Sequence, residues 1–92
     1  MDHKEIIHQK ITDISQEVLA FIREEEPKFD ERWVPAIHIK TTLGLSFVAV
    51  PQVNRQYGKK GWLFLIITRL LEDQNLIEYR KSGNRAFYRS VK

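Results

Sequence analysis

Arg80, Lys81 and Arg85 fall within six positions of one another, with Ser82, Gly83 and Asn84 between them. Three cations on so short a stretch can neutralise phosphates and release their counterions, and the serine and asparagine add neutral hydrogen bonds to phosphate oxygens. The same cluster is also an ordinary solvated turn, so a phosphate-binding role calls for a second anchor. Lys59-Lys60 offers one, because the pair precedes an apolar helical segment whose free backbone N–H groups and positive dipole end favour an anion. Just upstream, Asn54, Arg55 and Gln56 are candidates to clamp a nucleic-acid strand beside them.

Other chemistry finds little support. Gly58-Lys59-Lys60-Gly61 lacks the spacing of a nucleotide-binding phosphate loop. Two of the three histidines, His3 and His8, lie five positions apart, out of phase on a helix, and there is no cysteine to join them as a metal ligand. Asp13 and Glu17 sit four apart on a polar helix face, where a solvated role is the ordinary one. No nucleophile or paired carboxylate set points to a pocket, so the expectation is a binding protein with no enzymatic activity, no metal, no cofactor and no small-molecule substrate.

These residues belong to a chain of 92 with no cysteine, 42% hydrophobic and 29% charged, which bounds it to one domain whose core holds by packing alone. The longest apolar run, Trp62 to Ile67, is far too short to span a bilayer, and the charged opening Met1 to Glu5 does not read as a signal peptide. A cytoplasmic location is the resulting expectation. The net charge of +3 hides an asymmetry. Residues 1–50 carry six Lys/Arg against nine Asp/Glu, a net −3, whereas residues 51–92 carry nine against three, a net +6. A localised positive field attracts polyanions, which makes nucleic acid the first partner to test.

Ile7, Ile11, Ile14, Val18 and Phe21 recur at alternating spacings of four and three, with Ile22 beside them, and predict one long helix from His3 to Glu25 ended by Pro27. The stripe suits packing on its own domain and also a two-helix seam, which makes a homodimer through this helix an alternative. Two readings remain open for residues 34–43: a short helix over Ala36–Leu43 ended by Gly44 and Leu45, or an extended Val34–Thr41. Ser46–Val50 reads as a strand. Pro51 opens a short helix through Gln52–Tyr57 closed by Gly58, and a second helix runs from Gly61 to Gln74 with Leu63, Ile66, Ile67, Leu70 and Leu71 facing the core. Leu76–Lys81 and Arg85–Val91 around Ser82-Gly83-Asn84 form a β-hairpin.

A short helix with a Gly-containing turn (Val53 to Gly58), an apolar helix and a basic hairpin, in that order, resemble the winged helix-turn-helix superfamily. The run Leu71-Glu72-Asp73-Gln74-Asn75-Leu76-Ile77 is similar to its usual exit into the wing, with Asn75 where a glycine is common; Asn tolerates the left-handed conformation needed there. The resemblance implies an α+β fold, a single winged-helix domain over residues 1–92. Its parts would be an N-terminal helix (1–26), a helix-turn-helix (51–74) and a two-stranded wing (76–91). It also implies duplex DNA as partner, the second helix of the motif in the major groove and the wing on the adjoining backbone, as in a small transcriptional regulator. Base specificity would then rest on Gln56, Lys60 and Thr68. The first turns of the second helix, however, hold Gly61, Trp62, Phe64 and Leu65 where base readers carry polar side chains. Trp62 and Leu65, off the centre of the apolar stripe, are candidates for a protein contact, and the alternative function is a winged-helix protein-interaction module with no nucleic-acid role.

Overall fold

A computed structural model of the chain describes residues 2–46, 50–52, 55–57 and 61–91. The first element, α1 (His3–Glu25), matches the reading of its apolar spacing, and Asp2 caps it by accepting from the Glu5 N–H at 2.9 Å. Only its second half is anchored. Ser15, Val18, Leu19, Ile22 and Glu25 are buried, whereas Ile7, Ile11 and Ile14 of the same stripe are exposed.

Both readings of residues 34–43 hold in part. Val34–Pro35 forms a two-residue strand, β1, and Ala36–Thr42 the helix α2, with extended Pro35 as its N-cap residue. The helix stops at Gly44, whose φ of +67° lets its own N–H reach the Thr41 carbonyl and the Leu45 N–H reach the Lys40 carbonyl at 2.8 Å.

The helix expected over Gln52–Tyr57 is not formed. Val50–Gln52 (β2) and Arg55–Tyr57 (β3) pair antiparallel, with Val50 opposite Tyr57 and Pro51 opposite Gln56. Val50 and Tyr57 are of types that favour extended backbone, and the ladder between the two segments outweighed the helix-opening preference of Pro51. Among the described residues the first helix of the expected helix-turn-helix over 51–74 is replaced by strands, and Val53, Asn54 and the turn at Gly58 lie outside the described residues. Of the expected strand Ser46–Val50, Ser46 is outside any strand, Val50 begins β2, and residues 47–49 lie outside the described residues.

The helix α3 (Trp62–Asp73) ends on Asn75, whose φ of +59° meets the expectation for a left-handed residue there; the Asn75 N–H reaches the Glu72 carbonyl and the Leu76 N–H the Leu71 carbonyl, each at 2.9 Å. The strands β4 (Ile77–Ser82) and β5 (Arg85–Ser90) follow, and β1 adds to β5, giving a three-stranded antiparallel sheet in the order β1-β5-β4. The fold is thus a small α+β domain.

Its core takes Val18, Leu19 and Ile22 from α1, Val34 and Ile39 from the β1–α2 segment, Phe64, Ile67 and Leu71 from α3, and Ile77 and Tyr88 from the sheet. Phe64 and Tyr88 meet edge to face at 5.6 Å. The buried face of α3 is rotated from the expected one. Phe64, Ile67, Thr68 and Leu71 point inward, while Leu63 and Leu70 are half-buried and Ile66 is 54% exposed. The bulkier Phe64 takes the centre because Tyr88 offers it an aromatic partner that Leu63 and Ile66 do not need. Among the described residues, no helix is long and apolar enough to cross a membrane.

Candidate nucleic-acid interface

The hairpin positions the basic cluster through its turn. Gly83 carries the positive φ (+61°) in a two-residue connection between paired Ser82 and Arg85. A glycine in that first position lets the turn follow the twist of the strands. With the register so set, Arg80 faces Phe87 and Glu78 faces Arg89. Residues paired across an antiparallel ladder share a face, so Glu78, Arg80, Ser82, Arg85, Phe87 and Arg89 line one side and Tyr79, Lys81, Ala86 and Tyr88 the other. Arg80, Lys81, Ser82, Asn84 and Arg85 are all exposed. The tip thus presents two guanidinium groups on one face and an ammonium on the other.

The root of the hairpin has a different character. On the outer face a cleft of about 390 Å³ lies between the sheet and the Phe29–Trp33 segment. The Arg89 guanidinium sits 4.1 Å and that of Arg80 5.7 Å from the centre of the Trp33 ring, and Arg85 lies over Phe87 at 5.6 Å. Arg89 also pairs with Glu78 and donates to the Glu31 carbonyl at 2.9 Å. Its charge is therefore balanced within the fold. Arg80 and Glu31 approach only to 3.9 Å with both side chains largely exposed, a pairing that phosphate can displace. Glu31 and Arg32 hold left-handed backbone, φ +51° and +66°, at a cost of about 1–2 kcal/mol each; the Glu31 carbonyl and the Arg32 side chain obtained this way are both used to tie the segment to β5.

Glu26 completes that tie. Its buried carboxylate accepts from the Ser90 N–H, from the Ser90 hydroxyl at 2.9 Å and from Arg32 at 3.3 Å. The preceding residue, Glu25, bonds Lys28 at 2.8 Å and His38 at 2.6 Å; Lys28 first and His38 second hold its carboxyl below the ordinary value. His38, between the rings of Phe21 and Phe29, thereby joins α2 to α1.

Thr68 does not occupy the position expected of a base reader. It is 1% exposed, donates to the Phe64 carbonyl at 3.0 Å and accepts from the Tyr88 hydroxyl at 3.5 Å. Its work is to lock α3 to β5, a consequence of the rotated helix face. Arg55 and Gln56 stand in β3 and not in a helix, and Asn54, Lys59 and Lys60 lie outside the described residues. Trp62 is half-buried and Leu65 is 41% exposed beside Ile66. Between α3 and the inner hairpin face, a groove of about 350 Å³ carries Arg69 together with Glu72 and Asp73, a mixed lining without net basic character.

Trp33, Phe87, Arg89 and Glu31 were not singled out from the sequence. For Phe87 and Arg89 a signal existed. Once the turn is placed at Gly83-Asn84, strand alternation puts both on the face of Arg80. Trp33 and Glu31 carry no such signal, because a left-handed turn brings them to the sheet. Comparison with family models, curated proteins and solved structures returns no match.

Proposed function

We propose that the chain is a winged-helix domain that binds duplex DNA mainly through the phosphate backbone, with the β4–β5 tip as its principal grip, in the manner of a small transcriptional regulator. The observation that carries this reading is the exposure of Arg80, Lys81, Ser82, Asn84 and Arg85 around a single two-residue turn. The element order supports it. A helix, a short strand, two further helices and a hairpin follow one another, and the short strand pairs with the last strand of the hairpin. In this reading α2 and α3 are the helix pair, separated by a long connection that holds β2 and β3. The outward positions of α3, Leu65, Ile66, Arg69 and Asp73, include only one side chain able to donate to a base edge, which favours backbone contact over sequence readout.

The test is a fluorescence-anisotropy titration of a labelled duplex over a range of salt concentrations. Each phosphate contact adds about 0.9 to the log–log salt slope, so Arg80→Ala with Arg85→Ala flattens it by roughly 1.8. An unchanged slope removes the hairpin from the interface. Retention of no duplex even at low salt overturns the reading and favours the protein-interaction module, for which the specific support is the adjacent exposure of Leu65 and Ile66.

A further inference from the structure

We propose that the exposed apolar face of α1 is the seam of an antiparallel homodimer, in which the first half of each α1 lies along the second half of the partner's α1. Four large aliphatic side chains, Ile6, Ile7, Ile11 and Ile14, stand exposed on one half of one helix, whereas single scattered apolar residues are the normal surface condition. They are not a random patch. Ile7, Ile11 and Ile14 continue in register into Val18 and Phe21, the 4-3-4-3 spacing of a two-helix seam.

The second half of the helix offers the matching surface. Ile14, Val18 and Phe21 form the floor of an apolar groove of about 430 Å³, Leu43 and Leu45 at the end of α2 line it as well, and Glu17 and Glu24 flank it. One chain therefore carries both the ridge and the groove that receives it, the self-complementarity a two-fold interface requires.

Charge selects the orientation. Lys10, Glu17 and Glu24 recur every seven residues and so lie along one flank of the seam. With a two-fold axis passing between residues 12 and 13, Ile11 meets the partner's Ile14, Ile7 enters the partner's groove between Ile14 and Phe21 above the buried Val18, and Lys10 stands beside the partner's Glu17, twice over by symmetry. A parallel pair would instead set Lys10 against Ser15 and Glu17 against Ile22, with no charge complement, and would leave both grooves unfilled. None of these residues belongs to the hairpin, so the inference stands apart from the nucleic-acid reading.

The seam is short, and its dissociation constant belongs in the micromolar range. Sedimentation equilibrium of the full chain over increasing concentration is expected to show a mass rising toward twice 10.9 kDa. Ile11→Asp, at an exposed position that leaves the helical circular dichroism unchanged, raises the dissociation constant by about tenfold or more. Lys10→Glu and Glu17→Lys each weaken the dimer, while an equimolar mixture of the two variants, or the double variant, recovers it. A monomer at every concentration, an Ile11→Asp chain that dimerises unchanged, or charge variants whose mixture fails to recover association would each overturn the proposal.

Discussion

Replacing Glu26 by Gln tests how the hairpin is held at its root. The carboxylate is 5% exposed and accepts three hydrogen bonds, two from Ser90 and one from Arg32. A glutamine keeps an accepting oxygen for the Ser90 N–H and turns the other into a donor, which the Ser90 hydroxyl can accept but which confronts the Arg32 guanidinium, and the bonds to Ser90 lose their ionic character. A hydrogen bond to a charged group contributes about 1 kcal/mol more than a neutral one, so the two Ser90 bonds together lose about 2 kcal/mol. Arg32 is partly solvated and retains the Ser90 carbonyl at 3.3 Å, so its lost ion pair adds only about 0–1 kcal/mol. The sum is about 2–3 kcal/mol. In a domain of this size, with total stability of about 5–15 kcal/mol, that lowers the melting temperature by roughly 10–20 °C. Urea denaturation followed by the fluorescence of Trp33 and Trp62 measures it, with exposed Asp73→Asn as the control expected within about 0.5 kcal/mol of the parent. A Glu26→Gln loss no larger than that of the control would refute the assignment of Glu26 as the clamp on β5.

Thr68→Val is expected to lower stability by about 1–2 kcal/mol, by removing the partner of the buried Tyr88 hydroxyl, and to leave duplex affinity unchanged below the melting temperature. A selective loss of binding would restore Thr68 to the interface. Because the Glu25 carboxyl is held below its ordinary value of 4.5, it binds its proton less readily folded than unfolded. The stability it contributes is complete above that value and disappears as the pH falls below it. Glu25→Gln should therefore flatten the acid limb of melting temperature against pH, and a parallel displacement of the whole curve would contradict the assignment.

The features that local rules govern were legible in the sequence. The 4-3 spacing of isoleucines, valine and phenylalanine marks α1, Gly44 and Asn75 mark the ends of α2 and α3 because few other residues accept a positive φ, and Gly83 between two strand-like runs marks the hairpin and with it the basic tip. The chain's charge asymmetry is equally a property of composition.

Tertiary packing decided the rest. Which face of α3 turns inward depended on Tyr88 offering an edge to Phe64, and that contact carried Thr68 from the surface into the core. Val50–Gln52 and Arg55–Tyr57 became strands by pairing with each other across a ladder, an interaction no window of helix signals contains. Trp33 reached Arg80 and Arg89 through two left-handed residues held by bonds to a strand almost sixty positions away. Periodicity and turn chemistry act within a few residues, so they specify elements. Long-range partners choose among the faces those elements present, and only in the assembled fold do Arg80 and Arg85 stay exposed at the tip while Arg89 is neutralised at the root.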